Sequence, residues 1–211
     1  MERTEELKEA LCDVRKAHRL IHDYQQRMLD LVRFIASKLD FSLCEGHKFF
    51  SNDITRKKNR NLTMHENMWA WDFLYSYVFE YYLGEMELDD GTTIALSVIQ
   101  YSDTGYYDRI DNKRQDLESF APEEEATSKL LFFMERCPKK KKWVWDIDKI
   151  VENKEYASKS HTKTVLEKNG CRQGLYSFPI ERFINEKSSL QALQEFIDFC
   201  KTELDVILEI M

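Results

Sequence analysis

The longest regular pattern of hydrophobic and polar residues lies at the N-terminus. From about Thr4 to Leu39, apolar residues recur in alternating steps of four and three. This spacing places them on one face of an α-helix, as in a coiled coil. Such a helix would be about 50 Å long, more than a compact domain of this size usually needs. The face consists of Leu7, Leu11, Val14, His18, Ile21, Gln25, Met28, Val32, Ile35 and Leu39.

A second heptad pattern occupies the C-terminus, where Ser188 or Ser189 is the predicted N-cap of a helix. The two heptad helices can pair with each other, or the N-terminal helix can pair with a second copy of the chain. The greater length of the N-terminal helix favours the second arrangement. The C-terminal pattern comprises Leu190, Leu193, Ile197, Cys200, Leu204, Ile207 and Met211, and the predicted dimer seam comprises Leu7, Leu11, Val14, Ile21 and Met28.

Between the two helical patterns, apolar and polar residues alternate with the period of two that is typical of β-strands. Strands are predicted near residues 77–88 and 92–102. They are joined at Asp89-Asp90-Gly91, a short hairpin turn in which glycine supplies the positive φ. The alternation shifts by one residue at Tyr81-Tyr82, which predicts a β-bulge in the first strand.

Aromatic residues occupy every odd position from Trp69 to Tyr81. A single strand over residues 69–88 would be about 65 Å long, which is too long for an ordinary strand. Residues 64–76 can instead form a buried helix. We therefore expect these rings to belong to a core rather than to a stacking platform, and whether they enclose a ligand pocket stays open.

The second half of the chain carries signals for both helices and strands. Residues 121–138, APEEEATSKLLFFMERCP, are predicted to be helical because a proline and three glutamates mark a helix start. Short helices are predicted over 148–157 and over 160–169, the latter ending at Asn169-Gly170. Edge strands are predicted within residues 139–149 and in GLYSFPI, which Pro179 restricts to an edge position.

These elements predict an α+β protein with a small, mostly antiparallel sheet packed with helices. The expected organisation is a long N-terminal helix over residues 1–40, used for dimerisation or in a bundle. An α+β domain over residues 41–211 follows and ends in the C-terminal helix.

Composition is that of a globular protein, with 43% hydrophobic residues among 211. The N-terminus is charged from its second residue, and no stretch is apolar enough to span a membrane. The five cysteines are odd in number and scattered, which is typical of free thiols in a reducing compartment. We expect a cytoplasmic protein that needs no cofactor and does not contact a membrane.

Charge is distributed unevenly, with a net charge of −7 but an excess of basic residues over 126–180. Basic residues beside aromatic rings are typical of grooves that bind single-stranded nucleic acid. Solvated loops with inward-facing tryptophans are the alternative. The residues concerned are Arg56, Lys57, Lys58, Arg60, Lys139, Lys140, Lys141, Lys142, Trp143 and Trp145.

Two groups of residues could bind a metal ion. His18 and His22 are four residues apart on the N-terminal helix, and Cys44 with His47 adds a possible second pair of ligands. Alternatively, His18 is a polar residue of the heptad face and His22 is solvated.

Carboxylates on strands form the second group. Glu85 and Glu87 share one face of a predicted strand, and Asp146 could add a ligand for Mg²⁺ in phosphoryl transfer. Solvated glutamates on a hairpin are the ordinary alternative. Cys171 lies between Lys168 and Arg172, but a nucleophile also needs a base, and no familiar catalytic motif occurs.

The sequence therefore favours a non-catalytic interaction module with a regulatory, adaptor or inhibitory role. We expect a homodimer formed through the N-terminal helix and a further protein partner that the sequence does not identify. A nucleic-acid-binding protein is the second hypothesis, and a metal-dependent phosphoester enzyme is the third.

Overall fold

A computed structural model of the chain describes residues 2–42, 45–48, 78–105, 121–138, 163–168 and 170–211. The elements are α1 (Glu2–Lys38), β1 (Glu45–Lys48), β2 (Val78–Glu87), β3 (Thr93–Tyr101), β4 (Lys129–Cys137), β5 (Lys163–Lys168), β6 (Cys171–Pro179), a 3₁₀ turn (Ile180–Phe183) and α2 (Glu186–Glu203). Within the described residues, six strands form one antiparallel sheet in the order β1-β2-β3-β4-β6-β5. The helices α1 and α2 accompany this sheet, so the predicted α+β fold is confirmed.

The hydrophobic core lies between one face of the sheet and the two helices. Alternate residues of the central strands point into it, and α1 contributes only residues from its second half. Phe132 of β4 is at the centre, with its ring centroid 4.9 Å from that of Phe196 and 5.4 Å from that of Phe178. Gly174 of β6 allows α2 to approach closely, because a Cβ there would lie 2.9 Å from a methyl carbon of Leu204.

The opposite side of the sheet, called the second face below, is also buried along β3 and β4. All nine residues of β3 are buried, as are seven of the eight from Leu130 to Cys137 in β4. Strands buried on both sides need apolar residues at consecutive positions rather than at alternate ones. The run Leu130-Leu131-Phe132-Phe133-Met134 in β4 meets this requirement.

The prediction of a helix over residues 121–138 is wrong. Its start signals produce a single turn, in which the backbone N–H groups of Glu125 and Ala126 both donate to the Pro122 carbonyl at 3.0 Å. The chain then extends into β4. A short apolar run fits a buried helix and a doubly buried strand equally well, and packing between β3 and β6 selects the strand.

The helix predicted over 160–169 is also wrong, because residues 163–168 form β5. Lys168 pairs with Cys171, so a two-residue turn joins β5 to β6, and Gly170 has a φ of 75°. Asn-Gly between two strands is a hairpin signal.

The predicted edge position of GLYSFPI is wrong as well, because β6 lies between β4 and β5. Pro179 is tolerated because it is the last residue of β6.

Other predicted elements in the second half and the aromatic region lie outside the described residues. These are the helices over 64–76 and 148–157 and the edge strand within 139–149. Of the aromatic run, Phe79 and Tyr81 are described. Both pack with the hydrophobic core, and Tyr81 is buried.

The two predicted helices form, but α2 differs at both ends. It begins after Asn185, whose side chain accepts a hydrogen bond from the Ser188 backbone at 2.9 Å, so the predicted serine N-caps are wrong. It ends at Glu203, and Asp205 has a φ of 54°. The remaining residues have no regular secondary structure, and Ile207 and Met211 are exposed, so the heptad pattern does not continue past Leu204.

The predicted hairpin of β2 and β3 is confirmed. Its register shifts between Tyr82 and Gly84, so the β-bulge lies about one residue beyond the predicted position. Gly84 has a φ of 101°, a conformation that favours glycine and suits a bulge.

We predict that Phe132→Ala lowers the free energy of unfolding by about 3–5 kcal/mol, because it leaves a cavity where three aromatic rings meet. Urea denaturation followed by circular dichroism measures the change. Ile184→Ala is the matched control, since Ile184 is 81% exposed and its truncation should change stability by no more than about 0.5 kcal/mol. Equal losses in the two variants would contradict the described core.

Candidate functional site

The helix α1 divides into two halves with different surroundings. Met28, Val32, Ile35 and Leu39 continue one heptad face into the hydrophobic core. Every residue from Thr4 to Asp23 is exposed, apart from the half-buried Cys12. The first half therefore projects from the core without being buried by it.

The exposed half carries four large apolar residues of the heptad face, which we call the N-terminal stripe: Leu7, Leu11, Val14 and Ile21. Their side chains are between 41% and 59% exposed. Met28 was also predicted to belong to the dimer seam, but it is only 2% exposed and packs in the core of its own chain. A second chain can therefore reach the stripe but not Met28.

Among the described residues, few interactions stabilise this exposed half. Ion pairs join Lys8 to Glu5 at 2.6 Å and Lys16 to Asp13 at 2.9 Å, and all four side chains are exposed. Such pairs contribute about 0.2–0.5 kcal/mol each. Helices in proteins owe most of their stability to packing of an apolar face. The N-terminal stripe is an apolar face of this kind.

The four predicted metal ligands are only partly described. His18 and His22 are exposed on α1, and the His22 Nδ1 atom lies 3.2 Å from the Asp23 carboxylate. Cys44 lies outside the described residues. His47 is in β1, where only the backbone is described. A site that combines all four residues stays a prediction.

The predicted carboxylate group is also only partly described. Glu85 and Glu87 are exposed near the end of β2, and the Tyr82 hydroxyl donates to Glu85 at 3.2 Å. Asp146 lies outside the described residues. The ten basic and aromatic residues predicted to bind nucleic acid, from Arg56 to Trp145, lie outside them as well.

The sequence did not reveal two carboxylates that are buried on the second face. The Ser97 hydroxyl donates to Glu80 at 2.6 Å, and the Gln173 amide donates to Glu135. Both glutamates are at most 3% exposed. The one sign of them in the sequence is a glutamate inside a strongly apolar strand. An unpaired charge would be costly there, so such a glutamate indicates a buried hydrogen-bond partner.

A disulfide joins Cys137, at the end of β4, to Cys171, at the start of β6. The expectation that these cysteines are free thiols is therefore wrong, and Cys171 is not a free nucleophile in this state. Their Cα atoms are 4.5 Å apart because the strands place them opposite each other. Cys12 and Cys200 are free, and burial raises the pKa of the Cys200 thiol.

Two arginines beside the disulfide hold the end of α2 to the sheet. Arg136 donates to the Asp90 carboxylate at 2.7 Å and to the Leu204 carbonyl at 3.0 Å. Arg172 donates to Asp205 at 2.8 Å. Hydrogen bonds from the Thr92 hydroxyl and backbone, and then from Arg136, lower the pKa of Asp90.

The fold and the projecting helix together define an α+β protein with an apolar stripe on a long helix. The chain belongs to the PM0109 family, whose profile it matches over residues 4–205. It has no match among curated proteins and none among solved structures. Among the described residues, no helix is both long enough and apolar enough to cross a membrane.

We predict that removing the disulfide lowers the free energy of unfolding by about 4 kcal/mol, because the bond closes a loop between residues 34 apart. The measurement is urea denaturation of the oxidised protein, of the reduced protein and of Cys137→Ser. Cys12→Ser is the control and should unfold like the oxidised protein. If reduction leaves the midpoint unchanged, this bond does not constrain the chain.

Proposed function

We propose that this protein is a non-catalytic interaction module that forms a homodimer through the first half of α1. The observation that supports this proposal is the contrast between the two halves of one heptad face. The second half packs in the core, whereas the N-terminal stripe is exposed. A second copy of the chain brings an identical apolar stripe, which is the usual basis of a two-stranded coiled coil.

The charge pattern of α1 favours antiparallel pairing of the two copies. Residues 2–13 contain five acidic and two basic residues, whereas residues 15–27 contain four basic and one acidic. A parallel pair would place like charges side by side. An antiparallel pair places the acidic segment of each copy beside the basic segment of the other, and complementary charges set orientation in coiled coils.

One antiparallel register suits both the charges and the stripe. It places Leu11 of one copy opposite Val14 of the other, and Leu7 opposite His18. In this register Leu11 and Val14 form the central apolar layers, His18 faces Leu7, and Ile21 faces Thr4 at each end. Polar residues in such a seam are known to select register at some cost in stability.

Two further predictions accompany this proposal without support from the described residues: a regulatory, adaptor or inhibitory role toward another protein, and a cytoplasmic location. The Cys137–Cys171 disulfide is more typical of oxidising compartments, so it does not favour the predicted location. Nucleic-acid binding and the absence of a cofactor also stay predictions.

We predict that replacing Leu7, Leu11 and Val14 together by serine converts the dimer to a monomer. The three changes remove most of the apolar surface of the stripe, which should weaken association by on the order of 100-fold or more. Sedimentation velocity over a range of protein concentrations measures the change. Retained β-sheet signal in circular dichroism would show that the core stays folded.

Leu20→Ser is the matched control. Leu20 is an exposed leucine of the same half of α1 but lies outside the heptad face. This variant should remain a dimer. The proposal is contradicted if the wild-type protein is monomeric at a concentration on the order of 100 μM. It is also contradicted if the triple variant is still dimeric.

A further inference from the structure

A cluster of metal-ligating side chains lies at one end of the second face. It consists of Glu135 and Cys137 from β4 and Cys171 from β6, all of them buried. One carboxylate oxygen and the two sulfurs lie within 4.8 Å of one another. The cluster contains none of the histidines whose side chains the structure describes, so it is separate from His18 and His22.

The contact between Glu135 and Cys137 depends on the redox state of the cysteine. The Cys137 sulfur lies 3.2 Å from a Glu135 carboxylate oxygen. A disulfide sulfur carries no proton, so this contact is not a hydrogen bond. Reduction changes this, because a thiol at that place can donate to the carboxylate and a thiolate can share a cation with it.

Two neighbouring polar groups also fit a bound cation. The Gln173 amide donates to the second oxygen of Glu135, which fixes the carboxylate in the way that supporting residues fix metal ligands. Thr93 is directly opposite Cys137 in the sheet and is 2% exposed. Its hydroxyl has no hydrogen-bond partner within the described part of the chain. A buried hydroxyl in that situation indicates a missing polar neighbour.

We propose that the reduced protein binds one Zn²⁺ per chain through the thiolates of Cys137 and Cys171 and the carboxylate of Glu135. Zinc takes thiolate and carboxylate ligands in tetrahedral geometry. Water in the fourth position supplies the partner that the Thr93 hydroxyl lacks. The disulfide is then the metal-free, oxidised state of the same site.

The two states interconvert by thiol–disulfide exchange with a dithiol reductant. A thiolate of the reductant attacks one sulfur of the Cys137–Cys171 bond, and its second thiol releases the protein dithiol while the reductant becomes a disulfide. Two electrons and two protons thus pass to the protein. Zn²⁺ binding to the two thiols then releases both protons to solvent.

The disulfide lies close to the surface at one end of the sheet. Cys171 borders a cleft of about 310 Å³ whose lining also includes Arg172 and Gly170. Gly170 belongs to the exposed β5–β6 turn, whereas Cys171 itself is 4% exposed.

The test is a titration of the full chain with Co²⁺, which reports thiolate ligands through charge-transfer absorption, followed by competition with Zn²⁺. Protein reduced with a dithiol and freed from it under nitrogen should bind one Co²⁺ per chain and show the thiolate bands. The oxidised protein should bind at least 100-fold more weakly. Glu135→Gln should weaken binding by about 10–100-fold and keep the thiolate bands.

Variants separate this site from other metal ligands. Cys137→Ser should lose the thiolate bands, and Cys200→Ser, the control with a buried free thiol elsewhere, should match wild type. The proposal is overturned if the folded, reduced chain binds no Co²⁺ or binds it without thiolate bands. It is also overturned if His18→Gln with His22→Gln abolishes binding. Because oxidation and reduction are compared on the wild-type chain, a Cys137→Ser variant that does not fold leaves the test intact.

Discussion

The packing of the second half of α1 against the sheet determines how the rest of the molecule is arranged. Met28, Val32, Ile35 and Leu39 are buried there, and the C-terminal tail reinforces the attachment. The Met211 backbone donates to the Lys38 carbonyl at 3.0 Å, and the Lys38 amine donates back to the Met211 carbonyl at 2.9 Å. Because α1 is continuous, anchoring its last turns fixes the direction in which its first half projects. The N-terminal stripe is exposed as a consequence of this anchoring.

The two sides of the sheet have different chemistry. The side that faces the helices is almost entirely apolar, with aromatic rings around Phe132. The second face is equally buried but includes Glu80, Ser97 and Glu135. Buried carboxylates are costly unless they are hydrogen-bonded, and the Ser97 and Gln173 side chains meet that need. The disulfide lies at one end of the second face, with the Cys137 sulfur 3.2 Å from a Glu135 carboxylate oxygen.

Elements with a clear period were predictable from sequence, and elements defined by long-range packing were not. The heptad face of α1 and the β2–β3 hairpin follow local rules of helix and turn geometry, and both were predicted within about two residues. The run Leu130–Met134 has no usable period, so its partners in the sheet decide between helix and strand. The β5–β6 hairpin had a recognisable signal in the sequence, an Asn-Gly pair, which was interpreted instead as the end of a helix. Pairing of Cys137 with Cys171 depends on strand order, which the sequence alone does not specify.

Self-association through the N-terminal stripe is the central claim, and a distance between two copies tests it most directly. A spin label on Glu5→Cys, in a chain without Cys12, Cys44 and Cys200, reports that distance by pulsed electron resonance. With Leu11 opposite Val14, residue 5 of one copy lies opposite residue 20 of the other. The account predicts a distance of about 25 Å between the labelled positions. No dipolar coupling between chains would contradict the dimer, and a separation of about 10 Å would contradict its antiparallel orientation.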